Sequence, residues 1–214
     1  MKFSLPFKDF QSIADYKKVD LSKSHLEKIK VNILDNTSLS NYLESLIKDE
    51  NGHILYGGYL EERALYNDKS HFQSGNKQRN IHLGIDFWAK EGTLVVAPLD
   101  GIVHSFANNA NKGNYGPTVI LKHNIGVDTF YSLYGHLSLD SLNNIKIGQT
   151  IRQGSIFAKL GEEKINVGYV PHLHFQLIKD LEGYSGDYPG VCHKDDLEFY
   201  TANTINPNTY FNLN

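Results

Sequence analysis

HLGIDFWAKEGTLVVAPLDGIVHSF, residues 82–106, is the stretch from which the rest of the chain can be read. Its apolar, β-branched runs TLVVAP and GIVHSF are short and punctuated by glycine and proline, the pattern of brief strands joined by turns. The pattern continues in PTVILKH (117–123), VDTFYSLYG (127–135), QTIRQG (149–154), SIFAKLG (155–161) and HLHFQLI (172–178). Many short strands predict a mainly β fold built on an antiparallel β-sheet or sandwich-like core. Asp100-Gly101, between VVAPL and IVHSF, predicts a hairpin, because both residues tolerate the positive φ of tight turns.

Upstream, TSLSNYLESLIKDENG (37–52) repeats Leu39, Tyr42, Leu43, Leu46 and Ile47 at helical spacing, with Thr37 or Ser38 to cap its start and Gly52 its end. Its apolar stripe calls for a larger body to pack on. Gly57 to Arg79 is polar and reads as a loop leading into the core. The segment after Glu182, rich in Gly, Asp, Tyr and Asn, reads as irregular structure wrapped over that core. The expected organisation is a helical and loop extension over 1–78, a core over 79–180 and an irregular C-terminal extension over 181–214.

With 214 residues, 40% of them hydrophobic, the chain can bury one substantial core. A net charge of -3 and a pI near 6.3 exclude a broad basic field, so nucleic acid is not an expected partner. One cysteine, Cys192, excludes an intramolecular disulfide and a cysteine-built metal site, and no role is assigned to it. The first residues carry no apolar stretch of a secretory signal, and no run is apolar enough to span a membrane. As written the chain reads as cytoplasmic, with the periplasm or cell envelope open to it through unrecognised export. Its oligomeric state is not legible.

Chemistry concentrates in four histidines and an aspartate: His82 and Asp86 in IHLGIDF, His136 in LYGHLS, and His172 with His174 in PHLHF. Strand alternation puts His172 and His174 on one face, with Leu173 and Phe175 behind them, and aligns His82 with Asp86. Gly84 leaves space between that pair. Two histidines and a carboxylate suit Zn2+, which takes three protein ligands in a catalytic site and leaves a position for water. Such a centre makes hydroxide available near pH 7. The residues alone do not divide His172 from His174. His25, His53, His71, His104, His123 and His193 lack ligand-like neighbours and read as ordinary polar residues.

HLGIDFWAKEGTLVVAPLDGIVHSF, YGPTVILKH, YSLYGHLS, IKIGQTIRQGSIFAKLG and PHLHFQL together resemble the lysostaphin-type, LytM-like zinc metallopeptidases, over roughly residues 79–178. The resemblance implies the duplicated hybrid motif of that peptidase domain and cleavage of a peptide bond in peptidoglycan-type peptides, the partner being a peptide or muropeptide substrate. It implies that His82, Asp86 and His174 hold zinc while His136 and His172 act on the water and the oxyanion. No H-E-x-x-H is present, so the histidine pair would replace a glutamate base. The chain departs from the family at Tyr169 and Val170, beside His172, where a small turn is usual. Arg79 is a candidate for orienting substrate or a ligand, Tyr134 is assigned to the core or groove wall, and Asn76 or Asn80 could reach the metal if the N-terminal part occludes the groove. Two other readings are a non-catalytic binding module on the same fold and a phosphocarrier of the glucose-permease IIA type.

Overall fold

The computed structural model describes residues 3–32, 36–49, 53–63, 73–74, 77–111, 113–165 and 170–213. His71, Asn76, Tyr169 and Gly52 lie outside the described residues. The architecture is mainly β and antiparallel-rich. Nine strands form one sheet: β1 (Tyr16–Lys18), β2 (Ile54–Gly57), β3 (Ile85–Trp88), β4 (Gly101–Asn109), β5 (Gly116–Ile125), β6 (Asp128–Gly135), β7 (Thr150–Ile151), β8 (His172–Ile178) and β9 (Thr204–Ile205). Their order is β1-β2-β3-β8-β6-β5-β4-β7, with β9 also paired to β8. Among the described residues only β1 and β2 of this sheet run parallel. A second layer, the pair Leu94–Val96 and Ile156–Lys159, contributes Val95 and Ala158 to the main core.

Every residue of β8 is buried, because the strand lies inside the sheet and both of its faces are covered. Its odd positions, Leu173, Phe175 and Leu177, enter the main core. On β3, Ile85 and Phe87 share that core, while Asp86 and Trp88 face the other way. Phe87 is fully buried and meets Phe7, Tyr16 and Phe211 edge to face. Truncating so enclosed a ring costs about 3–5 kcal/mol.

Register brings the chemical residues together. His174 is paired with Asp86 on one neighbour and with Gly135 on the other, and Gly57 of β2 lies opposite Asp86. A short pair, Val191–Cys192 with Ile81–His82, anchors the His82 strand.

The helix read over 37–52 is observed at Asn36–Asp49, with Leu39 and Leu43 buried against Leu21, Trp88 and Val170. The hairpin expected at Asp100-Gly101 is not formed. Leu94–Val96 pairs with Ile156–Lys159 instead of β4, and Gly101 does not have positive φ. The Asp100 carboxylate accepts bonds from Arg152 Nη1 (2.9 Å) and the Gln153 amide (2.7 Å), and Gly101 lies against the His123 ring, 2.8 Å from where a Cβ would sit. The tight hairpin falls at Gly126-Val127, between β5 and β6, where Gly126 supplies φ +61°. Residues 181–213 also carry more regular structure than their composition suggests, with helices at Leu197–Asn203 and Asn208–Phe211. Among the described residues no helix is long and apolar enough to cross a membrane.

Candidate metal centre

His82 ends the short strand beside β3, Asp86 sits on β3 and His174 on β8, and all three are buried. His82 Nε2 is 2.9 Å from His174 Nδ1 and 3.3 Å from Asp86 Oδ1, and His174 Nδ1 is 3.0 Å from Asp86 Oδ1. The remaining polar atom of each residue is engaged elsewhere. His82 Nδ1 lies 2.9 Å from the Gly58 carbonyl, which can only accept, so Nδ1 carries the proton and Nε2 a lone pair. Gln176 Nε2 donates to the Pro189 carbonyl (3.2 Å), which turns Oε1 toward His174 Nε2 (3.1 Å) and leaves His174 Nδ1 as the bare nitrogen. Asp86 Oδ2 accepts from Arg63 Nη1 at 2.5 Å, so Oδ1 faces the imidazoles.

Three acceptors therefore confront one another at about hydrogen-bond distance with no proton of their own to share. A cation between them would satisfy all three. The protonation states agree. Burial, with the Arg63 charge second, pushes His82 down to about 4. Burial works against an ionised Asp86, but the surrounding groups, His82 and Arg63 foremost, outweigh it and hold the carboxyl well below its ordinary value. Two imidazoles and a carboxylate are the donor set that zinc takes in open sites.

His136 and His172 lie beside this cluster with ring centroids 4.3 Å apart. Burial, then His172 and His174, keeps His136 well below the usual imidazole range, and burial lowers His172 as well. His172 Nδ1 donates to the Val170 carbonyl (2.9 Å), and its ring stacks on Trp88. His136 has φ +61°, held by its amide bond to the Tyr115 carbonyl and by Gly161 N donating to its own carbonyl. Its Nδ1 is buried with no hydrogen-bond partner among the described residues. A cavity of about 360 Å³ opens over the five residues. Leu39, Leu43 and Trp88 line one side, and Asn114, Tyr115 and Asp187 are also in its wall.

Of the other sequence candidates, Arg79 and Val170 line the cavity. Asn80 turns away, donating to Glu62 Oε1 (3.1 Å). Tyr134 is fully buried in the core. Cys192 is buried, and burial followed by Asp196 pushes its thiol up to about 11, which makes it unreactive. Three residues escaped the sequence reading. Tyr115 packs on His136 and His174. Gln176 was visible in principle, since H-x-H-x-Q on one strand puts all three side chains on one face. Arg63, inside GGYLEER, had no such signal.

Neighbouring strands thus converge two histidines and a carboxylate into a cluster that could hold a metal ion. Residues 80–186, half of the chain, match the model of Peptidase family M23, and the chain belongs to that family. It is similar to an uncharacterized metalloprotease of Haemophilus influenzae, 40% identical over 95 residues, 44% of this chain and 18% of that protein. It is 33% identical over 136 residues to the DD-carboxypeptidase/endopeptidase Mpg of Neisseria meningitidis, 60% of this chain and 29% of that one. To the peptidoglycan DD-endopeptidase ShyC of Vibrio cholerae it is 32% identical over 101 residues, 47% of this chain and 21% of the relative. The chain thus matches less than a third of the length of each of these proteins.

Proposed function

We propose that the chain is a zinc-dependent metalloendopeptidase that hydrolyses a peptide bond in peptidoglycan-type peptides. His82, Asp86 and His174 would hold the metal, and His136 and His172 would handle protons and charge. The observation that carries this reading is the set of three facing acceptors, His82 Nε2, His174 Nδ1 and Asp86 Oδ1, each fixed by a partner on its other side. Zinc, when bound, supplies a Lewis acid that polarises a carbonyl and lowers the pKa of water.

The chain's own residues supply the rest. His136, its ring centroid 4.3 Å from that of His172 and kept neutral by burial, would accept a proton from water and return it to the departing amine. The Val170 bond fixes His172 Nδ1 as a donor and leaves Nε2 as that ring's other polar atom, able, when protonated, to stabilise an oxyanion. Burial of His82, Asp86, His172 and His174 keeps bulk water from these atoms and strengthens each of these interactions. The substrate class rests on the names of the relatives, a DD-endopeptidase and a DD-carboxypeptidase/endopeptidase, and carries with it action in the cell envelope. A phosphohistidine carrier fits less well, since Asp86 Oδ1, 3.0 Å from His174 Nδ1, would repel a phosphoryl group there.

The test is metal analysis of the purified protein together with incubation on muropeptides and on glycine-rich or D-amino-acid peptides, read by mass spectrometry. Stoichiometric zinc and a cleaved peptide bond are expected. Zinc without cleavage of any such peptide would discard the substrate, and protein that cannot be loaded with zinc would favour a non-catalytic binding module.

A further inference from the structure

Both the Asp86 and His82 side chains are held from outside the family-matched region, by the stretch Gly57-Gly58-Tyr59-Leu60-Glu61-Glu62-Arg63. Three backbone bonds tie it to the His82 strand: Leu60 N to His82 O (2.8 Å), His82 N to Glu61 O (3.0 Å) and Arg63 N to Asn80 O (2.8 Å). Arg63 is 2% exposed. Its Nη1 donates to Asp86 Oδ2, its Nε to Glu61 Oε2 (2.7 Å) and its Nη2 to the Gly57 carbonyl (3.4 Å), and its guanidinium lies 5.9 Å from the Trp88 ring centroid. Glu61 is itself pinned, its Oε1 accepting from the Leu21 amide (3.0 Å). Gly58 combines φ +105° with a position where any side chain would collide with Arg63 Nη2, so only glycine fits.

Granting the zinc reading above, we propose that Gly57–Arg63 is the positioning shell of the metal centre: Arg63 turns Asp86 so that Oδ1 alone faces the metal, and the Gly58 carbonyl sets the His82 tautomer. Two effects of Arg63 oppose each other. Its cation repels an incoming dication, while its fork orients the carboxylate. Glu61, 2.7 Å away and almost as buried, cancels most of the charge, so orientation wins.

The experiment measures zinc affinity by competition with a chromophoric chelator for the wild type, Arg63→Met, Arg63→Lys and Glu61→Gln, and the d–d absorption of each protein loaded with Co2+. Arg63→Met is expected to weaken zinc binding by roughly 10- to 100-fold, the usual loss for an outer partner of a ligand. Its cobalt spectrum should change, because Asp86 is freed to present both oxygens. Arg63→Lys should recover only part of the affinity, since a single ammonium cannot reproduce the fork. Glu61→Gln, which leaves the Arg63 charge uncancelled, should weaken zinc several-fold. Folded Arg63→Met with zinc affinity equal to or tighter than wild type, and an unchanged cobalt spectrum, overturns the proposal and leaves the zinc reading standing. If Arg63→Met does not fold, unchanged affinity in both Arg63→Lys and Glu61→Gln overturns it. A wild type that binds no zinc overturns the zinc reading and this proposal with it.

Discussion

Gly84→Ala is the smallest change that should damage the metal centre without touching a ligand. A Cβ at this position would sit 2.6 Å from the Phe175 carbonyl oxygen, 2.8 Å from His174 Cε1 and 2.9 Å from His174 Nε2. The carbonyl belongs to a strand paired on both sides and cannot yield. The imidazole must therefore move by about 0.5 Å to regain van der Waals distance, more than the roughly 0.2 Å tolerance of a metal–ligand bond. Overpacking of this kind costs about 1–3 kcal/mol, against a gain of about 0.4–1 kcal/mol from the stiffer unfolded chain. The net is a loss, and at about 2–4 °C per kcal/mol for a chain of this size it should lower the metal-free Tm by up to roughly 10 °C. Calorimetry of the metal-free protein and zinc competition on the same samples check both halves. A Gly84→Ala protein with wild-type zinc affinity and wild-type Tm would refute the reasoning.

Other perturbations separate the roles of the remaining residues. His136→Ala should keep zinc and lose hydrolysis, which zinc analysis beside a cleavage assay will show; lost zinc would make His136 a ligand. Because His136 holds φ +61°, His136→Gly should be more stable than His136→Ala by about 1 kcal/mol in chemical denaturation, whereas equal stabilities would mean that the left-handed backbone costs nothing. Burial, offset in part by the bond to the Asp100 carbonyl and by the Asp100 charge, keeps His123 below its ordinary value. The unfolded chain then takes a proton near pH 6.5 that the folded chain refuses, so stability is whole above about pH 6.5 and is lost as pH falls below it. The Tm of His123→Gln should therefore drop less than that of wild type between about pH 7 and pH 5, and parallel curves would assign the pH dependence elsewhere. Zinc at 100 times its Kd should stabilise the wild type by about 2.7 kcal/mol, an increment that His82→Ala should abolish in the same melting experiment.

Strand-forming runs were legible because each pairs apolar, β-branched content with a glycine or proline boundary, and the helix over Asn36–Asp49 because five apolar residues keep its period. β1 and β2 were not legible. Tyr-Lys-Lys and Ile-Leu-Tyr-Gly are too short for any period, and they become strands because the edge of β3 offers a partner to β2 and β2 in turn offers one to β1. The Asp100-Gly101 reading failed for a related reason. Local turn chemistry allows a hairpin there, but the Arg152 and Gln153 bonds and the His123 ring compete for the same residues from distant sequence. At the candidate site, order and spacing pointed to the five residues that surround the cavity. Arg63 stayed invisible, because an arginine after two glutamates reads as a solvated charge until the fold encloses it.

That enclosure explains why the cluster needs its outer partners. A histidine offers two nitrogens and an aspartate two oxygens, so three such residues thrown together could form internal hydrogen bonds and satisfy themselves. Gly58, Gln176 and Arg63 each occupy one atom per residue and remove that escape. Three lone pairs are left facing one another at 2.9 to 3.3 Å, an arrangement that a bound cation would relieve. Specificity for a metal is then a property of the partners as much as of the ligands, and two of those three partners, Gly58 and Arg63, lie before the region that matches Peptidase family M23.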